Sequence, residues 1–168
     1  CPPGYMVAKF LSKLDLQKGY LQIPVAAADI PKTAIITPFR LFEFNQMPFG
    51  LKNAGMSFQR MMDNIFAECD CAFWYLDDVL VGSPDDETHR RDLAAVFQLL
   101  HQNGLILNRD KCVLGVKQVE FLGHLVDEHG MSPLPGRVKA VRAFPPRATV
   151  KDLQSYLGLF NFYQRFVP

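Results

Sequence analysis

The sequence has no apolar run approaching the roughly 20 residues of a membrane-spanning helix. It has no basic-then-apolar leader of the secretory kind, no internal repeat and no low-complexity tract. Charge of one sign is not in excess, since 18 Lys and Arg oppose 17 Asp and Glu and leave a formal charge of +1. That balance excludes a field covering the whole molecule, so a nucleic-acid role needs a local basic groove. Cysteine is scarce: Cys1, Cys69, Cys71 and Cys112 are few and irregularly spaced, which argues against a secreted disulfide scaffold. The Cys69-x-Cys71 pair has no second pair at zinc-site spacing, so free thiols in a reducing compartment are the simpler reading. Cys112, beside Val113 and Leu114, reads as a small buried apolar residue. An initiator Met is missing as well, and Cys1-Pro2-Pro3-Gly4-Tyr5 reads as the start of a fragment or processed product.

What is present is 168 residues with 49% hydrophobic content, enough for one domain with a substantial core and incompatible with wholesale disorder. Residues 10–15 read as a short strand ending in a carboxylate. Residues 33–37 and 41–45 read as an antiparallel pair rich in β-branched and aromatic residues, with Pro38 between them. Phe58, Met61, Met62 and Ile65 recur at i, i+3, i+4 and i+7, one apolar stripe of a helix. Residues 72–83 set two apolar runs around Asp77-Asp78, the pattern of a hairpin with both acids at or beside its turn.

A second helix follows, with Ser83 as its cap, Pro84 in its first turn, and Asp85, Asp86 and Glu87 at its positive end. Leu93, Val96, Phe97 and Leu100 form its stripe, and Gly104 ends it. Short strands are predicted near 111–114, 119–122 and 124–126. A helix spans 137–144, stopped by Pro145-Pro146, and another begins at Thr149 with Asp152 in a capping-box relation. The whole is α+β, an antiparallel sheet backed by helices, with a boundary near Asp127 and a small helical unit over 127–168.

The carboxylates carry the chemistry. Asp77 and Asp78 in one strand would point to opposite faces, and burying either without a partner is costly. At a turn both can face one side, where a hard divalent cation such as Mg²⁺ is a natural ligand. Taken alone, a solvated Asp-Asp turn explains the pair equally well. Asp15 changes this balance, because it too ends an apolar strand. If that strand lies beside the hairpin, three acids meet at one sheet edge, and three acids can hold two Mg²⁺ ions about 3.5–4 Å apart for phosphoryl transfer.

Four blocks, in order, resemble the reverse transcriptase of gypsy-like LTR retrotransposon Pol polyproteins. They are Leu14-Asp15-Leu16-Gln17-Lys18-Gly19-Tyr20, Met47-Pro48-Phe49-Gly50-Leu51-Lys52-Asn53-Ala54, Tyr75-Leu76-Asp77-Asp78 and Phe121-Leu122-Gly123-His124. The tail from Leu157 to Phe166 matches the segment that follows in that family. The resemblance implies a right-hand polymerase palm with partial fingers over 1–126 and the first thumb helices over 127–168. It implies an RNA-directed DNA polymerase using Mg²⁺, with Mn²⁺ as an alternative, on an RNA or DNA template with a DNA or RNA primer and dNTPs.

Residue by residue, the resemblance makes Asp15, Asp77 and Asp78 the catalytic metal ligands, with the Leu16 carbonyl as a further one. Tyr20 matches the aromatic that crowds the sugar 2′ position. Phe49 and Gly50 match residues lying against nucleotide and template, Leu122 and Gly123 the primer-grip turn, and Lys111 a lysine that donates a proton to pyrophosphate. The family's upstream finger segment would precede Cys1, and its full thumb, RNase H and integrase regions would follow Pro168. An intracellular location follows from the family, in a cytoplasmic particle or the nucleus, with no membrane partner.

Three residues depart from the family pattern. Gly55 stands where Pro or Ala is usual, Arg40 where a turn Gly is common, and Trp74 where a smaller residue precedes the hairpin. An alternative reading is therefore an inert retroelement fragment that at most binds nucleic acid. Lys52, Arg60, Arg90, Arg91 and Lys117 are the scattered candidates for a basic groove.

Overall fold

The computed structural model describes residues 8–136 and 149–163. Strand β1 (Phe10–Asp15) is an inner strand of its main sheet. The sheet order is β4 (Ala72–Tyr75), β5 (Asp78–Ser83), β1, β6 (Val113–Val116), with every pairing antiparallel. The register sets Phe10 opposite Ser83 and Asp15 opposite Asp78. Opposed residues share a face, so Leu14, Val79 and Val81 enter one apolar cluster while Leu11 and Leu80 enter another. Both faces of β1 and β5 are covered, which is why these strands read as near-continuous apolar runs rather than alternating ones.

Helices α1 (Ala54–Ile65) and α2 (Asp86–Gln102) contribute to the first cluster. Phe58 and Met62 are fully buried there, and Met61 and Ile65 pack at its margin, as the stripe predicts. The start of α2 differs from the sequence reading. Asp85 is the cap, its carboxylate accepting the Thr88 amide at 2.8 Å, while Ser83 remains in β5 with its hydroxyl committed elsewhere. Helix α2 turns His89, Val96 and Leu100 inward and leaves Phe97 exposed. Its end is as predicted: Gly104 has φ +69°, its N–H meets the His101 carbonyl, and the Leu105 N–H meets the Leu100 carbonyl at 2.9 Å. These are the two bonds of a Schellman motif.

The second cluster is closed by a three-stranded antiparallel sheet of β7 (Gln118–Phe121), β8 (His124–Asp127) and β9 (Gly130–Pro133), from which Val119, Phe121 and Val126 meet Leu11 and Leu80. Strand β9 was not legible in the sequence, and it carries this sheet past Asp127. The β2 (Ile35–Ile36) and β3 (Leu41–Phe42) pair is shorter than predicted. Helix α3 (Val150–Tyr163) opens with the expected reciprocal cap, Thr149 Oγ1 accepting the Asp152 amide and the Asp152 carboxylate accepting the Thr149 amide, both at 3.1 Å. The helix predicted over 137–144 and the last three residues of the tail block, Gln164–Phe166, lie outside the described residues.

A buried polar chain ties α2 to the sheet. The Gly115 amide donates to Ser12 Oγ at 2.9 Å, Ser12 Oγ lies 2.7 Å from His89 Nε2, and Ser83 Oγ lies 3.0 Å from His89 Nδ1 while donating to Asp92 Oδ2 at 2.6 Å. A hydroxyl has one proton, and that of Ser83 goes to Asp92. Ser83 therefore accepts from Nδ1–H, and Nε2 accepts the Ser12 proton. With neutral His89 every donor in the chain meets an acceptor, and burial favours that form by lowering the His89 pKa against the opposing pull of Asp92 and Asp86. The unfolded chain then takes up a proton at higher pH than the folded one, so this contribution is present above the ordinary histidine range and is lost as pH falls through it. Urea unfolding at about pH 7.5 and about pH 5.5 is expected to show lower stability at the acidic value. In His89→Gln part of that difference should disappear.

Candidate active site

Strands β4 and β5 are joined through Leu76-Asp77, with Tyr75 opposite Asp78. Leu76 has φ +52°, an uncommon conformation for a residue with a side chain, and no glycine relieves it. Neighbours hold the turn. The Leu76 amide donates to Gln59 Oε1 of α1 at 2.9 Å, and the Asp77 carbonyl accepts the Leu16 amide at 3.0 Å. Gln59 Nε2 in turn donates to Asp63 Oδ1 at 2.9 Å, and the Trp74 indole N–H donates to the same oxygen at 2.8 Å. The Trp74 ring stacks on Phe66 with centroids 5.0 Å apart.

Asp15 and Asp78 face each other across β1 and β5, on the face turned away from α1 and α2. Like charges directly opposed are destabilising, and two ammonium groups offset them. Lys13 Nζ lies 3.3 Å from Asp78 Oδ1, and Lys111 Nζ lies 3.7 Å from Asp15 Oδ1. Asp78 Oδ1 is nevertheless buried and accepts no hydrogen bond. The backbone of Asp15 is anchored by the 108–112 segment, its carbonyl accepting the Asn108 amide at 2.8 Å and its N–H directed at Cys112 Sγ at 3.5 Å. Cys112 is half-buried, packed at the edge of the core as well as against Asp15.

Asp77 sits in the turn and is exposed. Its Cβ is close to Gly19, where an added methyl would stand 2.9 Å from it and 3.1 Å from Phe58. Hard oxygen donors, one of them a buried carboxylate oxygen that takes no hydrogen bond and is offset only by a lysine, fit a divalent cation. Among the described residues, no three acidic, His or Cys side chains are drawn together as a group that could hold one ion.

The other predicted residues gather around this edge in two places. Lys13, Asp78, Lys111, Leu122 and Gly123 line one cleft of about 390 Å³. Leu122 and Gly123 form the β7–β8 turn, with φ +48° and +77°, the pattern of a tight primed hairpin turn. On the other side, the Tyr20 ring meets Phe49 edge-on at 5.6 Å and the buried Phe58 edge-on at 5.3 Å. Gly50 follows with φ +93° and open space beside it.

The departures are accommodated. Arg40 has no left-handed backbone and so does not strain its turn; its guanidinium lies over the Phe42 ring at 4.9 Å. A methyl on Gly55 would meet Tyr20 Oη at 3.6 Å, ordinary contact. Of the basic candidates, Arg90 pairs with Asp86 at 3.0 Å and Arg91 donates to Thr88, while Lys52, Arg60 and Lys117 are exposed.

Comparison with known proteins matches residues 7–126, well over half the chain, to the family model "Reverse transcriptase (RNA-dependent DNA polymerase)". The chain belongs to the reverse transcriptase family. The retrovirus-related Pol polyproteins of the Drosophila melanogaster transposons opus and gypsy are 40% identical over 162 residues and 34% identical over 162 residues, each over 95% of this chain. The chain spans 16% of the length of each of those two relatives. Among solved structures, a foamy viral protease-reverse transcriptase in complex with double-stranded DNA superimposes with a TM-score of 0.89 at 26% identity, over 96% of this chain and 29% of that one. The foamy viral protein with an RNA/DNA hybrid gives a TM-score of 0.81 at 26% identity, over 92% of this chain and 21% of that one. Among the described residues no helix is long and apolar enough to cross a membrane.

Set against this reverse transcriptase fold, sequence reasoning missed Lys13, Gly19, Gln59 and Asp63. Gly19 stood inside the first of the four blocks, four residues after Asp15, and that closeness was the available signal. Gln59 and Asp63 are one helical turn apart on α1, and nothing in their spacing singled them out. Gly19→Ala sets a methyl against Asp77 Cβ, which cannot swing aside as a side-chain tip can. The expected cost is about 1–3 kcal/mol in urea unfolding. Gly55→Ala, by contrast, is expected to be neutral or stabilising by up to about 1 kcal/mol.

Proposed function

We propose that this chain is the palm of an RNA-directed DNA polymerase, extending a primer with dNTPs by two-metal nucleotidyl transfer. In this reading residues 1–126 are the palm with partial fingers, and 127–168 begin the helical thumb. The observation that carries it is the register of β1 on β5, which sets Asp15 against Asp78 and leaves Asp78 Oδ1 buried without a hydrogen bond. Family membership and the complexes of the foamy viral proteins with double-stranded DNA and with RNA/DNA hybrid support the same substrates here.

Asp15, Asp78, Asp77 and the Leu16 carbonyl are the residues that would hold the ions. Bound there, Mg²⁺ or Mn²⁺ acidifies the attacking primer hydroxyl and neutralises the departing pyrophosphate. The residues of the chain do the positioning. The Leu122–Gly123 turn, in one cleft with Asp78, seats the primer end. Tyr20, wedged between Phe49 and Phe58, presents a fixed aromatic edge that excludes a 2′-hydroxyl. Gly50 allows a base pair close to the backbone. Lys111 is exposed and 3.7 Å from Asp15, which supports its reading as the donor of a proton to pyrophosphate.

Primer extension on an RNA template, with Mg²⁺, with Mn²⁺ and with EDTA, tests the proposal. Metal-dependent synthesis that falls on the order of 10²–10³-fold or more in Asp77→Asn, with an unchanged circular dichroism spectrum, is the expected result. Undiminished synthesis in that variant overturns the metal assignment. A folded chain that stays inactive after the relatives' upstream polyprotein segment is joined to it supports the inert-fragment reading instead. Tyr20→Ala is expected to raise ribonucleotide use relative to deoxynucleotides in the same assay.

A further inference from the structure

The turn that carries Asp77 is held from behind. Strands β4 and β5 turn the ring of Trp74 toward α1 and Asp78 toward the opposite face, so α1 holds the hairpin from the side away from Asp78. Leu76 needs an acceptor for its amide at a point where the ladder ends, and its φ of +52° is a conformation that neighbours must impose. Gln59 Oε1 supplies the acceptor at 2.9 Å. An amide side chain can flip and offer nitrogen instead of oxygen. Here Asp63 prevents the flip, because its Oδ1 takes the Gln59 Nε2 hydrogen at 2.9 Å. Asp63 is itself fixed by the Trp74 indole at 2.8 Å, and Trp74 by its stack on Phe66. Support thus passes from the Trp74 ring to Asp63, to Gln59, to the Leu76 amide.

We propose that Gln59, Asp63 and Trp74 are positioning residues that hold the Leu76-Asp77 turn in its metal-binding shape, α1 serving as the brace. The inference rests on the polymerase reading for its consequence but not for its geometry. It accounts for the presence of Trp74, whose indole N–H joins the turn to the helix as a smaller apolar residue cannot. It also makes Gln59 the only link of the three that bonds the turn directly, and the other two its supports.

The test uses the purified chain and three readouts: amide exchange at Leu76, Mn²⁺ affinity by electron paramagnetic resonance, and thermal midpoint. Gln59→Met keeps length and removes both the acceptor and the donor. Trp74→Phe keeps an aromatic ring against Phe66 and removes the N–H together with part of the indole ring. Gln59→Met is expected to speed exchange at Leu76 about tenfold, the loss of one hydrogen bond, while the Val79 and Val81 amides are unchanged. It is also expected to weaken Mn²⁺ binding several-fold with little change in midpoint. Trp74→Phe should act in the same direction and more weakly. The double variant should be no worse than Gln59→Met alone, since the two act in series.

A fall in midpoint with Leu76 exchange unchanged, or additive effects in the double variant, would overturn the brace. Absence of Mn²⁺ binding in the unaltered chain would instead sink the metal reading. The exchange readout would still decide the brace. Gln59→Glu combined with Asp63→Asn keeps an acceptor for the Leu76 amide and, with donor and acceptor exchanged, a hydrogen bond between the two side chains, so it is expected to keep most of the Leu76 protection, which a role in packing alone does not predict.

Discussion

The pairing of β1 with β5 is the constraint on which everything else depends. Its register opposes Asp15 to Asp78 and, five residues along β1, Phe10 to Ser83. A slip of one residue would exchange the two faces of β1. Leu14 would leave the helix-facing cluster, Ser12 would lose His89, and Asp15 would turn into the core. The buried chain through Ser12, His89, Ser83 and Asp92 makes that slip costly, because its donors and acceptors match in only one register. The polar network on one face therefore fixes where the carboxylates stand on the other.

The two faces divide the labour in a second way. Positive φ at residues with side chains is concentrated near the acids, at Leu76 in the β4–β5 turn, Leu122 in the β7–β8 turn and Lys18 just after β1. Such conformations persist where surroundings over-determine them. For Leu76 those surroundings are specific bonds: Gln59 holds its amide, and the Leu16 amide holds the carbonyl of Asp77. The strain sits at the rim, and the apolar clusters that stabilise the fold lie farther along the same strands.

Much of this was legible in the sequence, and the failures have physical causes. Strand β1, the stripe of α1, the Asp-Asp hairpin and the Schellman end of α2 rest on local patterns, so local reading found them. Ser83 misled because Ser before Pro-Asp is a good cap by composition, and only the tertiary position of His89 and Asp92 claims its hydroxyl. Strand β9 contains Gly130 and Pro133, both poor strand formers, and exists because β8 offers it an edge. The family blocks made Asp15, Tyr20, Asp77 and Asp78 the candidates, but motifs are silent about what supports them. Gln59 and Asp63 look like the solvated side of a helix until β4 is placed against them.

The electrostatics of the acidic edge follow from its neighbours. Two carboxylates opposed across a sheet require positive charge, and Lys13 and Lys111 provide it from the same cleft. Neither pair is a tight hydrogen-bonded one: Lys111 stands 3.7 Å away and is largely exposed, and the buried Asp78 oxygen takes no hydrogen bond at all. A tighter fork from arginine would satisfy that oxygen and leave it little to gain from a cation. Lysine, a point charge on a flexible stem, offsets the repulsion without a forked hydrogen-bonded clamp on the carboxylates. The fold can thus form around its acids with lysine as counter-charge, which is what the proposed exchange of lysine for a harder and more highly charged cation requires.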